Sequence, residues 1–208
     1  MNRLYRIIGS GPITTSALAR LFPGVMSPRR QIERLERQGF IVRLKRGLYA
    51  ANPEFTGKPF VPELIANHLF RPSYLSMLTA LNFYGLTEQR PSAYQSMTTN
   101  LSRRLDTPAG RFDYRHISPE AFAVGLRCMQ HENRSYMIAS PEKALCDLIA
   151  QTPKVDLRYV TDVKIYLEQG VGIRPEALRN FDEELLEAYI AIGKKPDSIS
   201  ALLKFLRR

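Results

Sequence analysis

Apolar side chains recur at helical spacing in three short runs near the N-terminus, each ended by residues that stop a helix. Leu4, Ile7 and Ile8 form the first run, which breaks at Gly9-Ser10-Gly11-Pro12. Thr14 or Thr15 can cap the second, in which Leu18, Leu21 and Phe22 make an i, i+3, i+4 stripe before Pro23-Gly24. The third starts with Ser27 at the N-cap and Pro28 at the first helical position, where the missing N–H has no intrahelical partner to lose, and it ends before Gly39. Ile32 and Leu35 share the face of this helix that packs on its predecessors. Arg30, Arg34 and Arg37 point the opposite way, with Arg29 and Gln31 on the flanks near the start. After Gly39 the period falls from 3.6 to 2. Val42 and Leu44 are predicted on one side, Arg43 and Lys45 on the other, followed by a turn at Arg46-Gly47 and the run Leu48-Tyr49-Ala50, which together read as a β-hairpin with a basic tip.

Helix, helix, basic helix and basic hairpin in this order predict a winged helix-turn-helix over residues 1–53. The chemistry agrees with the order. Arginine can donate two hydrogen bonds to guanine and glutamine can pair with adenine, so Arg29, Arg30 and Gln31 are placed to read base edges. Arg34 and Arg37 extend the same helix face, and Arg43, Lys45 and Arg46 would lie against phosphates or the minor groove. Glu33 dissents, since a carboxylate is repelled by phosphate unless it accepts from cytosine or pairs with a neighbouring arginine. A three-helix bundle whose hairpin contacts only protein is the alternative.

Charge supports a division of the chain. The formal net charge is +10; residues 1–52 carry ten Arg or Lys against Glu33 and Glu36, and residues 53–208 carry twenty against eighteen acids. A compact basic block beside a nearly neutral remainder fits a polyanion-binding module joined to something else, although charge alone is equally met by a solvated basic face. Pro53 to Pro62, with Gly57-Lys58-Pro59, has no apolar period and reads as a seam.

The second domain is expected over residues 62–208. Leu64, Ile65, His68 and Leu69 line one helix, and Leu75, Leu78, Leu81, Phe83 and Tyr84 a second before Gly85. Residues 93–118 favour strands, with a turn at Thr107-Pro108-Ala109-Gly110, and predict a small mixed sheet packed by helices. Arg90, Arg103, Arg104, Arg111 and Arg115 interleave there with Tyr94, Phe112 and Tyr114, as a solvated strand face or as an extra nucleic-acid surface. Ser140-Pro141-Glu142 opens a helix that buries Ala144, Leu145, Leu148 and Ile149, with Lys143 and Asp147 expected as a pair on its surface. Helical signals continue to the basic tail. The fold class is thus α+β: a winged helix-turn-helix, then a mixed α/β domain with a mainly helical C-terminus.

Three stretches resemble the AbiEi-like antitoxin family of abortive-infection and type IV toxin–antitoxin systems. They are residues 37–50, Arg-Gln-Gly-Phe-Ile-Val-Arg-Leu-Lys-Arg-Gly-Leu-Tyr-Ala; residues 74–86, Tyr-Leu-Ser-Met-Leu-Thr-Ala-Leu-Asn-Phe-Tyr-Gly-Leu; and residues 138–148, Ile-Ala-Ser-Pro-Glu-Lys-Ala-Leu-Cys-Asp-Leu. The resemblance covers most of residues 1–150. It implies a transcriptional repressor of its own operon, acting on double-stranded DNA at its own promoter through inverted repeats, with a second domain that antagonises a nucleotidyltransferase-like toxin.

No enzyme is expected. Gly9-Ser10-Gly11 lacks the Lys-Ser/Thr of a phosphate loop and follows a helix, and no Asp-x-Asp or Asp-x-Glu pair follows it to hold magnesium. Cys128 and His131 form one C-x-x-H pair without a second, so neither metal nor cofactor is expected. Two cysteines, no secretory leader and no run of about 18 apolar residues point to the cytoplasm and to no membrane span. Two other functions fit the same residues: a stand-alone winged-helix regulator whose C-terminal domain senses a ligand, and a protein-interaction module.

Overall fold

The computed structural model describes Gly9 and residues 11–208; the predicted first helix, with Leu4, Ile7 and Ile8, lies outside the described residues. The N-terminal part contains β1 (Ile13–Thr14), α1 (Thr15–Ala19), α2 (Pro28–Arg37), β2 (Ile41–Lys45) and β3 (Leu48–Ala51). Thr14 Oγ1 caps α1 by accepting from the Ala17 N–H at 3.3 Å. Helix α2 begins at Pro28 as predicted, but the Ser27 hydroxyl makes no cap hydrogen bond. Strand β1 pairs with β3, Ile13 opposite Tyr49, giving an antiparallel sheet in the order β1-β3-β2.

A small core joins these elements: Ile13, Leu18, Ile32, Leu35, Ile41 and Tyr49. Among the described residues Ala17, Leu21, Phe22, Phe40 and Ala51 pack against it, and the other face of the hairpin turns to a second core. Leu44, Leu48 and Ala50 are buried in the large core of the C-terminal part. The Pro53–Pro62 seam is accordingly well tied: α3 (Pro53–Thr56) is capped by Asn52 and ended by Gly57 at φ +67°, and the Phe55 ring meets Phe40 edge-on at 4.6 Å.

Beyond it run α4 (Pro62–Leu69), β4 (Ser73–Leu75), α5 (Met77–Phe83), β5 (Tyr94–Thr98), β6 (Arg103–Thr107), β7 (Gly110–His116), α6 (Pro119–Ala123), β8 (Leu126–His131) and β9 (Arg134–Ala139). The helices α7 (Pro141–Gln151), α8 (Val160–Ile165), α9 (Glu183–Ile192) and α10 (Pro196–Leu206) complete the chain. The sheet is mixed, ordered β6-β7-β5-β4-β9-β8, with parallel pairings β4–β9 and β5–β7. The register places Tyr114 and Tyr74 on opposite faces. Tyr114 Oη donates to Ala66 O of α4 at 2.7 Å, and Tyr74 Oη donates to Asp147 of α7 at 2.9 Å, so one helix covers each face. The architecture is α+β.

Two expectations are corrected. Leu75 does not belong to a helix with Leu78 and Leu81: it pairs with Ser96 and Ile138 in the sheet, and Met77, at φ +53°, turns the chain sharply into α5. Lys143 and Asp147 do pair, but inside the protein, because α7 packs against α5 and α9, Tyr74 of β4 and Ala121 of α6 reach it as well, and every residue from Glu142 to Ile149 is buried.

Candidate nucleic-acid interface

The Thr15 N–H donates to Gly47 O at 3.0 Å, and this bond pins the β2–β3 turn to the start of α1. Gly47, at φ +82°, supplies the left-handed conformation the turn needs. Between that turn and the N-terminal half of α2 opens a groove of about 570 Å³, floored by Ile32 and Tyr49 and edged by Arg29, Arg43 and Arg46. Three of the predicted contact residues are therefore brought to one opening. Arg30, Arg34 and Arg37 lie outside it, on the exposed face of α2, and with Arg46 they make no salt bridge or side-chain hydrogen bond among the described residues. Gln31 is half-buried near the start of the helix.

Two acids of α2 engage the groove arginines. Arg29 Nε meets Glu33 Oε1 at 3.2 Å, and Arg43 Nη2 meets Glu36 Oε2 at 2.7 Å. The hydrogen bond to Glu36 pushes the Arg43 guanidinium further above its ordinary pKa, and its carbon lies 5.5 Å from the Tyr49 ring centroid. The dissenting Glu33 is thus an arginine partner, whereas the Glu36–Arg43 pair crosses from helix to strand and has no signature in the sequence.

Lys45 departs from its predicted side. The β2–β3 register shifts between Arg43, opposite Tyr49, and Lys45, opposite Leu48. This bulge re-aims Lys45 away from Arg43. Its Nζ donates to Leu69 O at 2.6 Å at the end of α4, and burial lowers its pKa, with the positive fields of Arg71 and Arg103 adding to the effect. Sequence reasoning did not associate Arg71 and Arg103 with the hairpin, since only the tertiary fold brings them there.

A second polar constellation lies at the centre of the C-terminal part. Asp147 Oδ1 accepts from Lys143 Nζ at 2.9 Å and Tyr189 Oη at 3.1 Å; Oδ2 accepts from Ser76 Oγ at 2.7 Å and Tyr74 Oη at 2.9 Å. Lys143 Nζ also donates to Ala121 O at 2.8 Å. Serine, lysine and aspartate are residue types of nucleophilic sites, but the Ser76 hydroxyl is committed to Asp147 and all three side chains are buried. In this geometry the network fastens α7 to β4, α6 and α9. Burial also pushes the neighbouring Cys146 thiol well above its ordinary pKa, away from reactive thiolate.

Among the described residues no three His, Cys, Asp or Glu side chains are placed to hold a metal ion, and no helix is long and apolar enough to cross a membrane. No family model and no curated protein matches the sequence. Among solved structures, the fold is similar to that of the RV2827C protein from Mycobacterium tuberculosis, with a TM-score of 0.48 and 14% identity over 95% of this chain and 76% of that one.

Proposed function

We propose that residues 1–53 form a winged helix-turn-helix and that the protein is a sequence-specific DNA-binding transcriptional repressor, the autoregulating antitoxin of a type IV toxin–antitoxin system. The observation that carries the DNA-binding reading is the groove between α2 and the hairpin, where Arg29, Arg43 and Arg46 converge beside the exposed Arg30 and Arg34. Helix α2 would enter the major groove with Arg29, Arg30 and Gln31 at the bases, and the hairpin would hold the adjacent backbone through Arg43 and Arg46. Glu33 and Glu36 then act as internal stand-ins for phosphate, keeping two arginines extended at little cost in stability until the duplex replaces them. The antitoxin half rests on the resemblance of residues 37–50, 74–86 and 138–148 to AbiEi-like proteins. On this reading the protein acts in the cytoplasm by binding, without a cofactor or catalysis, and its functional partner is a nucleotidyltransferase-like toxin. Footprinting on the DNA upstream of its gene tests the repressor half: protection centred on inverted repeats is expected, and uniform protection excludes sequence specificity. Co-expression with the neighbouring gene's product tests the antitoxin half, with rescue of growth expected.

One observation favours a second reading, a ligand-sensing regulator. A cavity of about 450 Å³ between α5 and β5 gathers Glu63, Asn82, Arg90, Tyr94 and Arg111. A small molecule that releases the protein from DNA, and loses that effect with Arg90→Ala, would establish it.

A further inference from the structure

Where the hairpin meets the C-terminal part, Lys45, Arg71 and Arg103 gather with no salt bridge to an acid among the described residues. The tripeptide Leu69-Phe70-Arg71 collects them: Leu69 O accepts from Lys45 Nζ, the Phe70 ring carries the Arg103 guanidinium 5.9 Å from its centroid, and Arg71 follows directly. The frame is well fixed. Arg71 Nε donates to Asn67 O at 3.3 Å, and Arg71 O accepts from Asn100 Nδ2 at 2.9 Å, which ties this turn to the loop entering β6. That loop is held again by Ser102 Oγ, which accepts from the His116 N–H at 3.0 Å.

The contrast with neighbouring arginines gives the cluster its meaning. On the same two strands Arg104 and Arg115 share Asp113, and Arg111 meets Asp106. Lys45, Arg71 and Arg103 make no salt bridge among the described residues, and Arg71 and Arg103 are exposed. Burial lowers the pKa of Lys45, and the positive fields of Arg71 and Arg103 lower it further. Like charges held together on a rigid frame disfavour the folded state unless a counter-charge arrives.

We propose that Arg71 and Arg103 form a second phosphate-contact surface, in the C-terminal part, that holds the backbone of duplex DNA beyond the stretch engaged by α2 and the hairpin. The inference rests on the DNA-binding reading above. Continuity with that site supports it: Arg43 and Arg46 edge the groove, while Lys45 between them, turned aside by the register shift after Arg43, reaches the cluster. A duplex with a charge every ~1.7 Å of its axis can meet both. Arg71, held through Nε, keeps its Nη groups to donate, and Arg103 is laid on Phe70 with its guanidinium edge likewise left to phosphate oxygens. The surface therefore adds affinity without sequence preference.

The test uses the full chain and an Arg71→Gln/Arg103→Gln variant, titrated with duplexes of about 40 base pairs, native upstream and scrambled, from about 50 to about 200 mM salt. Loss of two phosphate contacts should make the slope of log K against log salt shallower by about 1.8 on both duplexes, with their affinity ratio unchanged. Arg71→Lys/Arg103→Lys should restore the slope. An unchanged slope, in a protein that binds DNA, overturns the inference while the DNA-binding reading stands. A parent protein that binds neither duplex overturns both.

Discussion

Lys143 Nζ lies 2.9 Å from Asp147 Oδ1, one turn along α7, and neither side chain has any exposed surface. A buried charge is tolerable only when its partner and its remaining hydrogen bonds are all present. Here two tyrosines and a serine complete the carboxylate, the Ala121 carbonyl takes a second ammonium proton, and the ammonium lies 4.4 Å from the Tyr189 ring centroid. Lys143→Met is expected to destabilise the fold by roughly 3–5 kcal/mol by leaving the carboxylate unpaired. The double change Lys143→Met/Asp147→Leu should cost less than the sum of the single changes in urea denaturation. Strict additivity would contradict the pairing.

Gly125 guards the same network. Its φ is +66°, and a Cβ there would fall 2.8 Å from Lys143 Cβ and 2.9 Å from Leu185 Cδ1. Gly125→Ala therefore combines a left-handed penalty with overpacking, for an expected loss of about 2 kcal/mol or more. A denaturation midpoint equal to the parent's would show that the contact is absent.

The acids of α2 restrain the arginines they hold. Glu33→Gln/Glu36→Gln should raise affinity for any duplex and steepen its salt dependence, with little change in melting temperature, since both pairs are at the surface. Weaker binding would mean that the carboxylates orient the arginines in the complex rather than merely occupying them.

His68 should make stability depend on pH. Burial lowers its pKa from the ordinary 6.5; the hydrogen bond with Leu64 O opposes this, and Arg71 and Arg134 add to the lowering. The unfolded chain then binds the proton more readily than the folded one. This cost is absent well above pH 6.5, grows as the pH falls through 6.5 towards the folded value, and levels off below it. The melting temperature should decline on acidification from about pH 7 to about pH 5, and His68→Gln should reduce that decline. An identical pH profile in the variant would remove His68 from the account.

Local pattern was enough for α2 and for the hairpin. The Ser27-Pro28 start and the change of period after Gly39 are both signals carried by adjacent residues. It failed where tertiary contact decides. Strand β1 is two residues long and has no period to read, and the edge strand β8 lacks apolar alternation, although Tyr136 and Ile138 in its partner β9 do alternate. The spacing of Lys143 and Asp147 announces a contact but not its depth, because with Gln151 they recur every four residues as an exposed polar stripe would, and only tertiary packing buries them. In the candidate site, the alternation that grouped Arg43 with Lys45 was broken by one bulged residue, and the Arg43–Glu36 pair joins elements whose approach no local pattern encodes.

The most direct test of the central claim compares Arg30→Ala and Arg46→Ala with the parent protein on native upstream and scrambled duplexes across salt. The expected result is a split: Arg46→Ala weakens both duplexes alike and lowers the salt slope by about 0.9, whereas Arg30→Ala erodes the preference for the native duplex by about 1–3 kcal/mol. Equal, weak binding of the parent to both duplexes, untouched by either substitution, would contradict a sequence-specific regulator.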